Sequence, residues 1–210
     1  MKQNYQLMLD KTIEQTLRDG VRPRLLLHAC CAPCSSYVLE YLVNYFDITL
    51  LFYNPNISPK VEHDFRYSEL RRLVNEMGIS DKVDLIEAEY TPELFYGIAR
   101  GLEDLAEGGE RCKKCYALRL ERAAAAARDG GFDYFTTTLS ISPHKNAQWL
   151  CEIGEALEGQ YGVKYLYSDF KKKGGYKRSC ELSDEYGLYR QDFCGCIYSK
   201  MARDKSKSDS

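Results

Sequence analysis

The sequence predicts an α/β fold, a parallel sheet flanked by helices. Three observations point there. Short apolar runs at 24–29 and 48–53 lack polar alternation, as strands buried on both faces do. Segments of helical character follow each run, and this alternation continues to about residue 167. Of 210 residues, 44% are hydrophobic, enough for one core that needs no disulfide staples.

The first helix is expected over 6–18, where Leu7, Ile13 and Leu17 recur among polar residues before Gly20 and Pro23 stop it. Strand 24–29 follows. Pro33 suits a first helical turn and opens a helix to about residue 45. The second strand, 48–53, ends at the turn residues Asn54, Pro55 and Asn56. Ser58 and Pro59 open a helix that runs to about residue 77 and stops at Gly78. Residues 83–87 form a third strand, and Thr91 with Pro92 marks a helix start. An acidic, glycine-containing loop at 103–110 leads to Cys112-Lys-Lys-Cys115 and an alanine-rich helix over 118–128. A β-branched and aromatic strand at 133–138, a helix at 145–158 and a strand at 163–167 complete the alternation. Beyond 167 the pattern breaks into Lys, Gly and Tyr, and this end is expected to wrap over the sheet. The expected organisation is an N-terminal helical extension (1–23), a single α/β catalytic domain (24–198) and a disordered polar tail (199–210).

With 29 Lys+Arg against 31 Asp+Glu, the formal charge of −2 excludes a polybasic protein. The apolar runs fall well short of the ~20 residues of a membrane-spanning helix. The first residues show no continuous apolar stretch and no cleavage site, so a cytoplasmic location and no membrane partner are expected. In a reducing compartment, nine cysteines read as metal ligands or redox groups rather than disulfides.

His28-Ala-Cys30-Cys31-Ala-Pro-Cys34 stands where the first strand hands over to its helix. The carboxyl end of a strand is where ligands bind in open parallel sheets, and the helix start favours thiolates. Cys112 and Cys115, spaced i, i+3, share one helix face and can reach one metal. With Cys30 and Cys31 they make four thiolates, enough for a [4Fe–4S] cluster or a Cys₄ zinc site; ligand count does not choose between them. In Cys194-Gly-Cys196 the glycine permits the tight turn of a Cys-x-Cys disulfide, which suggests a redox couple or a further pair of metal thiolates. Cys151 reads as core packing, and Cys180 as an auxiliary thiol outside any cluster.

Residues 171–178 carry five positive charges, Lys171, Lys172, Lys173, Lys177 and Arg178, and no negative one. Such a stretch follows a phosphate backbone or is simply a solvated loop. Tyr53, Asn54, Asn56, Thr136, Thr137, Thr138, Ser140, Ser142, His144 and Lys145 lie at or just past strand ends, where polar side chains read a substrate. His63 and His144 are acid–base candidates, whereas His28 reads as a core histidine.

HACCAPC (28–34), LLFYNPNI (50–57), RCKKCY (111–116), TTTLSISPHKN (136–146) and RQDFCGC (190–196) together resemble the epoxyqueuosine reductase QueH family, in order over about 24–198. The resemblance implies reduction of the epoxide of epoxyqueuosine, at the wobble position of tRNA, to the cyclopentene of queuosine. It implies a [4Fe–4S] cluster, an adjacent iron ion, an electron donor whose identity it leaves open, and no cobalamin. It also implies a sheet related to ATP-pyrophosphatase-like (HUP) folds. CCAPC replaces the pyrophosphate loop of ATP-using relatives, so no ATP chemistry is expected. Carried over by motif, Cys30, Cys31, Cys112 and Cys115 are the cluster ligands, Cys34 is a candidate ligand of the second iron, and Cys194 with Cys196 is the redox-active pair. The competing reading is a zinc-stabilised tRNA-binding domain without redox chemistry.

Overall fold

A computed structural model describes residues 3–208. Its elements run α1 (Tyr5–Asp19), β1 (Arg24–His28), α2 (Ala32–Leu42), β2 (Asp47–Phe52), α3 (Lys60–Glu76), β3 (Val83–Glu87) and α4 (Pro92–Ala99). They continue with α5 (Glu110–Asp129), β4 (Tyr134–Thr137), α6 (Ala147–Tyr161), β5 (Lys164–Tyr165), α7 (Gly175–Glu185) and α8 (Ile197–Ser208). The five strands form one parallel sheet in the order β3-β2-β1-β4-β5. This is the expected α/β architecture.

Successive side chains of a strand face opposite sides, and the two layers of core follow that parity. Leu25, Leu27, Leu50 and Phe52 pack with α1, α2 and α3 through Leu9, Ile13, Val38, Leu39 and Leu70. Leu26, Leu51 and Phe135 pack with α5 and α6 through Leu120, Ala123, Leu150 and Leu157. The strand order reverses between the central strand β1 and its neighbour β4. That is the switch point at whose carboxyl edge a crevice opens.

Several expectations shift. In α1 the buried stripe is Gln6, Leu9, Ile13 and Thr16, while Leu7 and Leu17 are exposed. The helix turns its i, i+3, i+7 row to the sheet, roughly 100° away from Leu7. The fifth strand shortens to Lys164–Tyr165. Residues 199–208 are helical instead of a disordered tail, and residues 209–210 lie outside the described ones. Within α8 Lys200 pairs with Asp204 at 2.8 Å, and Arg203 and Lys207 both reach back to Asp192. Pairs four residues apart stabilise an exposed helix. No helix of the described residues is long and apolar enough to cross a membrane.

Candidate cysteine-lined active site

The first cysteine group forms because β1 ends against α2. Cys31 is the N-cap residue of α2 in extended conformation, with Pro in the first turn, so Cys30, Cys31 and Cys34 gather where backbone N–H groups point outward. Their sulfurs all lie within 4.8 Å of one another, and those of Cys30 and Cys31 are 3.7 Å apart. Thr138, just beyond β4, donates its hydroxyl to the Cys30 sulfur at 3.5 Å. Three sulfurs this close share one negative charge. Hydrogen bonding from Cys30 and Cys34 holds Cys31 well below the usual thiol range. The bond to Cys31 pushes Cys30 up to about 12, and hydrogen bonds to Cys30 and then Cys31 raise Cys34 as well.

His28, fully buried, bonds Thr137 Oγ1 at 2.8 Å and the Tyr53 carbonyl at 3.0 Å, the satisfied core histidine expected. Burial first, then the charge of Arg119, lowers its pKa to about 3.

The second group sits at the start of α5. Cys112 and Cys115 occupy its first turns, and the Cys112 sulfur accepts the Gly108 N–H at 3.3 Å. Arg111 fixes the preceding loop by donating to the Leu102, Glu103 and Leu105 carbonyls at 2.9, 2.8 and 2.6 Å. Burial raises the Cys115 thiol to about 11.

The third group folds over both. The Ser58 N–H donates to the Gly195 carbonyl at 2.9 Å, and Arg66 donates to the Cys194 carbonyl at 3.2 Å. Lys145 donates to the Cys194 sulfur at 3.2 Å and to Glu107 at 2.8 Å. Ser199 accepts the Cys194 N–H at 3.0 Å and donates to the other Glu107 oxygen at 2.8 Å. Burial works against the Lys145 charge, but the Cys194 sulfur, Tyr116 and Glu107 outweigh it and raise its pKa. Burial also raises Glu107, yet Lys145 and Ser199 bring it below the ordinary carboxylate range. Burial pushes Cys196 up to about 12. Its sulfur accepts the Ser199 N–H at 3.4 Å.

These parts enclose a cavity of about 500 Å³ lined by Cys30, Cys31, Cys34 and Cys194, with Asn54, Asn56, Ser142, His144 and Lys145 among its walls. A smaller adjoining cavity holds Cys112, Cys115 and Cys196; Asn56, Arg119 and Cys194 line both. Cys34 therefore joins Cys30 and Cys31 in one tight trio, and Cys112 and Cys115 stand across a shared wall from it. The Asn56 side-chain oxygen is buried without a partner. Tyr53 does not line the cavity; its ring packs beside Cys112 and Tyr116, and its hydroxyl meets Thr91 at 3.2 Å. His63 stacks between Phe52 and Tyr90, away from the cavity.

The five charges of the basic stretch do not line the cavity, although Tyr176 within it does, and they are largely paired. Lys171 meets Asp169, Lys173 meets Asp10 at 2.6 Å, Arg178 meets Glu40 at 2.7 Å, and Lys177 lies 3.8 Å from Glu181. Lys172 is exposed. Sequence reading missed Glu107, Arg119, Ser199 and Arg190. Glu107 was visible only as one acid in an acidic loop, and nothing local marks Arg119 as buried.

The profile of the family described as "Epoxyqueuosine reductase QueH" matches residues 25–202. The chain belongs to the QueH family. A relative of that name from Staphylococcus epidermidis is 47% identical over 204 residues, covering 95% of this chain and 86% of its own length. One from Streptococcus pyogenes is 44% identical, covering 94% and 78%, and one from Thermotoga maritima is 37% identical, covering 85% and 91%. The QueH match spans all five strands and all three cysteine groups.

Proposed function

We propose that this chain is an epoxyqueuosine reductase of the cytoplasm, acting on epoxyqueuosine in tRNA. One observation carries the reading: a single cavity has the thiols of Cys30, Cys31 and Cys34 on one wall and Cys194, held by Lys145, on another. Membership of a family named for this reduction supports it.

An all-sulfur donor set fits an iron–sulfur group, and so does the buried Arg119, whose Nη2 has no partner and calls for negative charge nearby. We assign Cys30, Cys31, Cys112 and Cys115 to a [4Fe–4S] cluster and Cys34 to an adjacent iron. When bound, such a centre supplies single electrons and a Lewis acid, which zinc, having no redox chemistry, supplies only in part.

Removing the epoxide oxygen breaks two C–O bonds, forms one C=C bond, and consumes two electrons and two protons to release water. An external one-electron reductant provides the electrons, dithionite in an assay, with Cys194 and Cys196 as the relay. The chain's own residues handle the rest. Lys145 Nζ, nearly buried and held charged at the cavity wall, stabilises the negative charge that develops on the leaving oxygen, whose protons come from solvent. The unpartnered Asn56 oxygen accepts a donor of the modified base. Tyr176 and Arg190 at the cavity wall, 5.9 Å apart in a cation–π contact, offer a stacking surface for a flanking base. The two asparagines, Ser142 and His144 complete the substrate contacts.

Anaerobic purification with iron, sulfide and visible-spectrum analysis before and after dithionite, followed by assay on epoxyqueuosine tRNA, tests this. A brown protein with more than four irons that bleaches on reduction and converts the tRNA is expected. A colourless zinc protein, even after iron–sulfur reconstitution, overturns the reading in favour of a zinc-stabilised tRNA-binding domain.

A further inference from the structure

Arg119 lies on α5, seven residues after Cys112 and four after Cys115, with 2% of its surface exposed. Its hydrogen bonds go only to neutral acceptors. Nε donates to the Cys115 carbonyl at 3.4 Å and Nη1 to the Asn54 side-chain oxygen at 3.2 Å; Nη2 has no partner. A guanidinium carries five N–H donors and cannot shed its charge, so a buried one without a counter-ion is costly. Arg66, equally buried, shows the ordinary solution: Glu62 lies 2.7 Å away. Among the described residues no carboxylate plays that part for Arg119. It stands in the wall shared by the two cavities, between the trio at α2 and the pair at α5.

We propose that Arg119 is the buried counter-charge of the cysteine-held centre and that it sets the centre's reduction potential. The inference rests on the iron–sulfur reading above. Thiolate ligands leave such a centre net negative, and reduction adds one more negative charge. A fixed cation in a water-poor wall stabilises the reduced form more than the oxidised one and so raises the potential. Arg119 is a positioning residue in this role: it acts on the centre and leaves the substrate to others. A merely architectural role, holding Asn54 and through it the Ala29 carbonyl at 2.9 Å, predicts no change in potential.

The test compares wild type, Arg119→Met and Arg119→Lys, each reconstituted anaerobically as the full chain, by iron and sulfide content and by potentiometric titration followed in the visible spectrum. In Arg119→Met the midpoint is expected to fall, so that at the wild-type midpoint the reduced-to-oxidised ratio drops at least tenfold, about 59 mV for a one-electron couple. Arg119→Lys, which keeps the charge but loses the planar fork, is expected to stay near wild type. Full iron content with an unchanged potential in Arg119→Met overturns the inference and leaves the function standing. If Arg119→Met takes up no iron, retention of iron and potential by Arg119→Lys supports the charge role, and loss of iron in both overturns it. A wild-type protein that binds zinc and no iron overturns the cluster reading first, and the inference with it.

Discussion

Lys145 Nζ lies 3.2 Å from the sulfur of Cys194 while it holds Glu107 at 2.8 Å, so one buried ammonium joins the loop before α5 to the Cys-Gly-Cys segment. A charge-assisted contact of this kind contributes roughly 1.5–3 kcal/mol. Lys145→Met is therefore expected to slow single-turnover conversion of epoxyqueuosine tRNA by about ten- to a hundredfold. Lys145→Arg should recover part of that rate. An unaltered rate in Lys145→Met would remove that charge-stabilising role.

If the third cysteine group is the relay proposed above, it separates one turnover from many. Replacing Cys194 and Cys196 together by Ser is expected to abolish multiple turnover while iron content stays at the wild-type level. Undiminished multiple turnover would show that electrons reach the site without this pair.

Gly195 adopts φ 110°, and a Cβ there would stand 3.0 Å from both Arg66 Nη1 and Ile57 Cγ1. Gly195→Ala combines backbone strain of order 1–3 kcal/mol with that crowding. The segment should lift away and release the bond from the Ser58 N–H to the Gly195 carbonyl. Hydrogen exchange would report it as faster exchange of the Ser58 amide with the sheet amides unchanged, accompanied by loss of turnover.

For tRNA, pairing within the basic stretch narrows the choice of phosphate contacts. Lys172, Lys173 and Lys177 are exposed, but Lys173 is engaged by Asp10 and Arg178 by Glu40. Neutralising Lys172 and Lys177 to Gln is expected to weaken tRNA binding and to lower the slope of log K against log salt by up to about 0.9 per lost contact. An unchanged slope would put the tRNA backbone on another face.

The position of α8 should respond to acid. Hydrogen bonds from Lys207 and then Arg203 lower Asp192 from 3.8 to about 2. A carboxylate lowered on folding contributes stability that is complete above its unfolded pKa and is lost as pH falls through the folded one. Residues 197–208 should therefore hold their protection above pH 4 and fray between about pH 4 and 2. Asp192→Asn should produce the same fraying at neutral pH, measured by hydrogen exchange.

The sheet was legible because strands buried on both faces leave uninterrupted apolar runs, and because Pro33, Pro92 and Gly78 mark helix ends locally. The cysteines were legible as clusters for the same local reason. What escaped depended on distant partners. Glu107 matters because Ser199, 92 residues away, meets it. Arg119 is buried because Asn54, 65 residues away, receives it. Helix α7 begins at Gly174 and Gly175, residues that ordinarily argue against a helix. At Gly175 a Cβ would sit 2.0 Å from the Phe170 carbonyl, so close packing dictates the residue there. The Lys171–Arg178 charges looked unopposed because Asp10 and Glu40, their partners, lie on α1 and α2.

The wall that carries Cys194 is built from a segment synthesised after all five strands. A chain emerging from the ribosome thus completes the sheet, the trio at α2 and the pair at α5 while the crevice is still open on one side. The thiols of the trio and the pair form an accessible bowl at that stage. Once Ser199 finds Glu107 and Gly195 finds Ser58, the bowl has its rim and opens to solvent through a narrower mouth. A single late-arriving strip of chain thus decides when the thiols are closed in.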